Sequence, residues 1–198
     1  MFRKVTFLLA LSSLLFSCEK SQTELADELF LSGSYSEAIE AYDIFIASHP
    51  TDEKSIYNRG RSYEELGELK NALKDFREAA SIAPENIQIR QSLGLCYYKL
   101  EQYNSAISTM DDLLSKKPND TNAFYLKGRA LQKQGKVNSA IENYSNAIRY
   151  NARHAESYLY RGALFVLTKK MDKACRDLRK ARALGAEDAD KLIKKHCN

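Results

Sequence analysis

Between Tyr63 and Ala80 the apolar positions fall at Tyr63, Leu66, Leu69, Leu73, Phe76 and Ala80. Intervals of three and four place such residues on one face of a helix. Gly67 interrupts the run where one helix must give way to the next. The pattern then repeats along the chain. A small residue stands at Ala26, Gly60, Gly94, Gly128 and Gly162, each 34 residues after the last, and Ala38, Ala72, Ala106, Ala140 and Ala174 follow twelve residues behind. Large residues keep the same step at Leu29, Tyr63, Tyr97, Leu131 and Phe165, and again at Tyr42, Phe76, Met110, Tyr144 and Leu178. Several series sharing one period mark internal repeats. Each unit is predicted to be two antiparallel helices, with small residues such as Gly94 and Ala106 letting the axes approach while Tyr97 and Met110 fill the adjoining space.

Punctuation follows the same register. Gly33, Gly67 and Gly135 fall between the two helices of a unit, a place that favours a left-handed residue without a Cβ, and Glu101 and Lys169 depart from this. Pro50, Pro84 and Pro118 close the first three units, whereas Ala152 and Ala186 stand there in the last two. Small, aromatic, small, aromatic and terminal proline in this order over 34 residues resembles the tetratricopeptide repeat, and the resemblance covers residues 19–188 without insertion. It implies an all-α, right-handed α-solenoid of five 34-residue helix–turn–helix units, at 19–52, 53–86, 87–120, 121–154 and 155–188. One pair of helices cannot bury its own apolar face, so stability is shared between stacked neighbours. Residues 187–196, amphipathic through Ala189, Leu192 and Ile193, are expected to form a capping helix with Lys191, Lys194 and Lys195 outward.

The first residues do not belong to that array. Arg3 and Lys4 precede an apolar and hydroxyl run from Val5 to Phe16, the pattern of an export signal. The run is shorter than the roughly 20 apolar residues that cross a bilayer. Leu15-Phe16-Ser17-Cys18 resembles a bacterial lipobox, with phenylalanine a less usual residue at its middle position. The resemblance implies a signal peptide at 1–17 and lipid on Cys18; an ordinary secretory signal or a short buried helix are the alternatives. Two or three acyl chains hold a protein durably on a membrane. Removing residues 1–17 deletes Arg3 and Lys4 and no acid, so the formal charge falls from +4 to +2. That is too near neutral to argue for nucleic acid. The tract 169–198 is locally basic, with ten basic residues against five acids, which a solvated helix face explains more simply than an anionic surface.

Four cysteines include Cys18 and leave Cys96, Cys175 and Cys197. Cys96 sits where Ala130 stands one repeat later and reads as a small core residue. With a turn near Gly185 and Ala186, Cys175 and Cys197 lie at nearly the same helical height, so they can close a disulfide in an oxidising compartment or stand as two thiols. His49, His154 and His196 have no companions at a recognised metal spacing. No phosphate loop or nucleophile motif is present, and no metal, cofactor or active site is expected.

The resemblance assigns the concave face to the second, fifth, ninth, twelfth and thirteenth residues of each unit. Candidate partner-binding residues are Tyr57, Arg61, Gln91, Tyr98, Lys99, Tyr125, Arg129 and Lys133. Tyrosine with arginine is the composition of protein-binding hot spots, and the groove is expected to take an extended or helical peptide with some acidic character. The lysine and asparagine clamp of chaperone-docking relatives is absent from the corresponding positions. The expected function is a lipid-anchored interaction scaffold of the bacterial envelope, at the outer membrane facing the periplasm, with protein partners and no small-molecule substrate. The alternative is a surface-exposed lipoprotein binding extracellular protein or glycan. Leu159, Val166 and Leu167 in the fifth unit can instead bury a homo-oligomer contact.

Overall fold

The computed structural model describes residues 22–197. The signal sequence expected at 1–17 and the lipidation expected at Cys18 lie outside the described residues. Eleven helices follow one another among the described residues. They are α1 (Gln22–Leu31), α2 (Tyr35–Ser48), α3 (Glu53–Glu65), α4 (Leu69–Ile82), α5 (Ile87–Lys99), α6 (Tyr103–Lys116), α7 (Thr121–Lys133), α8 (Val137–Tyr150), α9 (Ala155–Leu167), α10 (Met171–Ala183) and α11 (Ala189–His196). Each odd-numbered helix from α1 to α9 pairs with its successor, and each pair stacks on the next.

The first helix of each unit from the second onward starts at a side-chain cap. Asp52 Oδ1 accepts from the Ser55 backbone N–H at 2.8 Å, Asn86 Oδ1 from that of Ile89 at 3.3 Å, and Asp120 Oδ1 from that of Ala123 at 2.9 Å. Thirty-four residues further on His154 does the same work, its Nδ1 facing the Ser157 N–H at 3.2 Å. Such caps satisfy N–H groups that a helix leaves orphaned.

The second helices have no such cap. They follow a backbone turn in which an N–H reaches back five residues, as Glu68 does to the Tyr63 carbonyl at 2.8 Å and Lys170 to that of Phe165 at 2.8 Å. This closing bond needs a left-handed residue just before it. Gly33, Gly67 and Gly135 supply it at φ of 83°, 76° and 73°, and Glu101 and Lys169 adopt the same conformation at 60° and 57°. The two departures from glycine therefore change the cost of the turn and leave its shape intact. A side chain held there costs about 1–2 kcal/mol.

Small residues sit where the helices of a pair cross. Ala26, Ala38, Ala72, Ala106, Ala140 and Ala174 are fully buried beside Tyr42, Phe76, Met110, Tyr144 and Leu178. A Cβ built on Gly128 would stand 2.8 Å from the Tyr144 ring, and one on Gly162 would stand 3.0 Å from Leu178.

Two buried ion pairs accompany the apolar core. Arg59 on α3 grips Asp75 on α4 through two bonds of 2.8 Å, and Arg161 on α9 grips Asp177 on α10 at 2.7 and 2.9 Å. Both aspartates are almost fully buried. The two pairs occupy the same places in the second and fifth units; the third unit has Leu93 and Thr109 there. Arg59 also donates to Asp43, and Arg161 to Ser145, each sixteen residues back on the second helix of the preceding unit. Each arginine thus joins its own unit to its neighbour.

The chain closes on a cap slightly shorter than the sequence pattern suggests. Residues 186–188 form the turn and the helix begins at Ala189 rather than at 187. The Gly185 turn, at φ 94°, uses the same backbone geometry as the turns inside the units. Cys175 and Cys197 are joined, with Cα atoms 5.5 Å apart, which pins α11 against α10. Closing a loop of this length adds about 3 kcal/mol by chain entropy. Cys96 is unpaired and buried, its thiol facing the Leu69 carbonyl at 3.4 Å; burial pushes its pKa up to about 11.

Candidate functional site

The first helices line one face of the stack, and at its centre α5, α7 and α9 bring three tyrosines around one arginine. Arg129 donates through one terminal nitrogen to Tyr125 Oη at 2.9 Å and through the other to Tyr98 Oη at 2.9 Å. Its guanidinium carbon lies 4.1 Å from the centre of the Tyr160 ring, 5.3 Å from that of Tyr98 and 5.8 Å from that of Tyr125. Attraction between a cation and each ring face contributes about 0.5–2 kcal/mol. Beneath them Tyr144 is fully buried, donates to Gln132 Oε1 at 2.7 Å and contacts the Tyr125 and Tyr160 rings.

The charges in this cluster bias one another. Burial opposes the charge on Arg129, but the surrounding phenols outweigh that and leave its pKa above the ordinary arginine value. Burial raises the pKa of Tyr125, with Arg129 pulling the other way, and burial holds Tyr144 firmly protonated. No carboxylate lies within ion-pair distance of Arg129 among the described residues.

Beside the cluster is a cleft of about 290 Å³ lined by Gln91, Leu95, Asn122, Tyr125, Leu126 and His154, with Met110 at its floor and Glu156 at its margin. Leu95 is exposed here. His154 stacks obliquely on Tyr125 at 4.9 Å while capping α9. Its burial lowers its pKa, and Glu156 opposes that shift.

The other candidate residues divide by partner. Tyr57 is buried against Phe76 and meets Ser92 Oγ at 3.1 Å, and Arg61 lies 3.4 Å from the Tyr57 hydroxyl. Arg61 is drawn to Glu64 and Glu65 on its own helix, at 3.2 and 3.6 Å. Lys99 donates to Glu64 at 2.8 Å, and Gln91 donates to the capping carboxylate Asp120 at 3.2 Å. Lys133 is exposed. Tyr98, Tyr125 and Arg129 are brought into direct contact, whereas Tyr57 and Arg61 form a separate, carboxylate-balanced group rather than one continuous strip with them.

A second polar knot sits where α1 meets α3. Asp27 accepts from Tyr42 Oη at 2.6 Å, Lys54 Nζ at 2.8 Å and Asn58 Nδ2 at 3.0 Å. Burial alone would raise the Asp27 pKa, and these three donors together hold it below the ordinary carboxylate value.

Tyr160, Tyr144, His154 and Glu156 were not among the candidates. Tyr160 is the sixth residue of its unit, off the assigned face, and Tyr144 and His154 read as a core ring and a corner residue. The periodic cap series Asp52, Asn86, Asp120 and His154 is the one signal that marks His154 from sequence. Among the described residues no group of three or more His, Cys, Asp or Glu is arranged to hold a metal ion, and no helix is long and apolar enough to cross a membrane.

A solenoid of paired helices with an aromatic and basic groove defines a protein-binding repeat scaffold, and sequence comparison agrees. Two family models described as tetratricopeptide repeat match residues 23–87 and 63–130, and a third, the anaphase-promoting complex (cyclosome) subunit 3 family, matches 102–181. The chain belongs to the tetratricopeptide repeat family. Among curated relatives it is 22% identical to DnaJ homolog subfamily C member 3 homolog of Dictyostelium discoideum over 90% of this chain, and 26% identical to the BBSome complex member BBS4 of Mus musculus over 69%. It spans only 39% and 26% of the length of those two proteins. Among solved structures, MamA of Desulfovibrio magneticus RS-1 superposes with a TM-score of 0.77 at 20% identity, over 82% of this chain and 92% of that one. YrrB, described as a TPR protein with an unusual peptide-binding site, superposes with a TM-score of 0.72 at 22% identity, over 88% and 90%. At these identities the likeness is one of fold.

Proposed function

We propose that this chain is an adaptor of the bacterial cell envelope, tethered by lipid on Cys18 and recruiting a protein partner through the concave groove. The observation that carries the groove reading is the open cleft beside Arg129. Exposed Leu95 and the Tyr125 ring line it, and Tyr125 joins it to the Arg129 guanidinium, which Tyr98 and Tyr160 reach from the first helices on either side. Large rings bury much area at low entropic cost, and such residues dominate binding energy at interfaces. The groove polar groups bond to one another and to caps rather than forming a nucleophile and base, so we assign the chain a binding role and no catalytic step.

The envelope assignment rests on the export pattern before Cys18. The disulfide between Cys175 and Cys197 supports it, because such bonds persist in oxidising compartments. Cys18 stands four residues before Gln22, a stretch that extends at most about 14 Å. The solenoid would therefore be held close to the bilayer, and tethering raises the effective concentration of a recruited partner there. The membrane we favour is the outer one, on its periplasmic face.

Metabolic labelling with palmitate, followed by membrane fractionation of the native chain and of Cys18→Ala, tests the tether. Label and membrane association that both disappear in Cys18→Ala are expected. An unlabelled native chain found in the soluble periplasm would overturn it.

A further inference from the structure

Four arginines of the described chain are held by neighbouring side chains between or along the first helices, and one of them is unlike the rest. Arg59 and Arg161 are neutralised by Asp75 and Asp177, and Arg61 lies beside Glu64 and Glu65. Arg129 has hydroxyl oxygens and ring faces instead, and these lower the energy of a cation without cancelling its charge. A half-buried positive charge with no counter-charge is costly, and it is best compensated by an anion from outside.

The hydrogen bonds around it point the same way. Tyr98 and Tyr125 accept from Arg129, so each phenolic proton remains to be donated, and among the described residues neither has an acceptor within hydrogen-bonding distance. Two hydroxyl donors and the unspent N–H groups of one guanidinium thus belong to one contiguous cluster. The single positive charge matches a monoanion. A phosphate dianion would be only half neutralised.

We infer that Arg129, Tyr98 and Tyr125 form a receptor for one carboxylate of the partner, seated so that an apolar side chain of the same segment enters the adjoining cleft. Tyr125 borders both places, so the carboxylate and the apolar residue come from within a few residues of each other. The carboxylate belongs to an aspartate or glutamate side chain or to a chain terminus. This inference rests on the groove reading and adds the chemistry of its occupant.

The test uses three short peptides against the chain from Cys18 onward with its disulfide intact. They are acetyl-Leu-Ala-Glu-amide, acetyl-Leu-Ala-Gln-amide and acetyl-Leu-Ala-Ala with a free C-terminus. Binding is followed through the Nε–Hε NMR resonance of Arg129 and by titration of the groove resonances. At least one carboxylate peptide is expected to bind about tenfold tighter than the glutamine peptide, since a hydrogen bond to a charged group contributes at least that factor. Whichever of the two binds tighter names the source of the carboxylate. The advantage is expected to vanish in Arg129→Gln and to survive in part in Arg129→Lys, with thermal melts checking that both variants fold. Equal binding of all three peptides would overturn the carboxylate receptor while leaving the groove as a peptide site. Absence of binding by every peptide would overturn both, and a carboxylate advantage unchanged in Arg129→Gln would move the receptor elsewhere.

Discussion

Arg161 and Arg129 stand on neighbouring first helices, α9 and α7, one turned into the seam between helices and the other into the groove. The first meets a buried carboxylate in a two-bond fork and adds a bond to the preceding unit. The second meets three phenol rings and no acid. In the seam the charge is a fastener, complete within the chain. In the groove it is an unfinished interaction. Stability should depend on the seam and recognition on the groove.

The largest effect is expected from Asp177→Ala. It leaves Arg161 charged and mostly buried, and breaking such a pair costs about 3–5 kcal/mol, nearer the lower figure because the arginine retains some solvent. Arg129→Gln should cost under about 1 kcal/mol, because it removes an unneutralised charge together with its ring contacts. Chemical denaturation of the two variants side by side measures this. Equal losses would erase the distinction between fastener and receptor.

Gly128 and Gly94 sharpen the comparison at the helix crossings. In Gly128→Ala the new Cβ meets the fully buried Tyr144 ring, which supports the tyrosine cluster. A net loss of about 1–2 kcal/mol is expected once overpacking is set against the helix propensity gained. In Gly94→Ala its one clash is with the terminal methyl of Met110, the Met110 sulfur and Leu126 lying at ordinary contact distance, and that methyl is a flexible end that can move aside. That variant should lie within about 0.5 kcal/mol of the parent, as thermal melts of the pair would show.

Glu101→Gly and Lys169→Gly act in neither region. Relief of the left-handed strain is expected to raise stability by about 1 kcal/mol each, less the entropy that glycine returns to the unfolded chain. Denaturant midpoints that fall would show that the side chains at these turns contribute contacts outweighing their strain.

The smallest effect is a pH dependence at His154, which belongs to both regions because it caps α9 and lines the cleft. Its folded pKa is depressed by burial, with Glu156 on its own helix opposing and the Tyr125 ring of α7 packed against it. A depressed histidine binds fewer protons folded than unfolded, so stability is fully present above its ordinary pKa of 6.5 and declines as pH falls below it. Stability measured between neutrality and pH 5 should fall, and His154→Asn should flatten the slope, since asparagine at this place caps α5 without titrating.

Much of the architecture was legible because a solenoid writes its contacts into one period. The small residues, the paired rings and Gly33, Gly67 and Gly135 each had to recur wherever helices cross or turn. The Arg59–Asp75 and Arg161–Asp177 seams were not legible: they occur in two units of five, so no period announces them, and each reads as an ordinary helix charge. The candidate site was legible in composition but not in grouping. Tyr98, Tyr125 and Arg129 came from the assigned face, whereas Tyr160 joins them from a position that carries no groove signal. Separation of Tyr57 and Arg61 from this cluster depended on where Glu64, Glu65 and Ser92 place their side chains. Equal helical height put Cys175 and Cys197 within reach of each other, a purely geometric clue that spacing could express without choosing between bond and thiols.

The most direct test of the central claim places a photoreactive residue at Leu95, in the cleft, and in a second strain at Arg77 on the exposed side of α4. Crosslinking is carried out in intact cells with and without Arg129→Glu. The account predicts one envelope protein captured from Leu95, not from Arg77, and lost when the charge at residue 129 is reversed. Capture that is equal from both positions, or that survives the reversed charge, would contradict a groove built around Arg129 as the recognition surface.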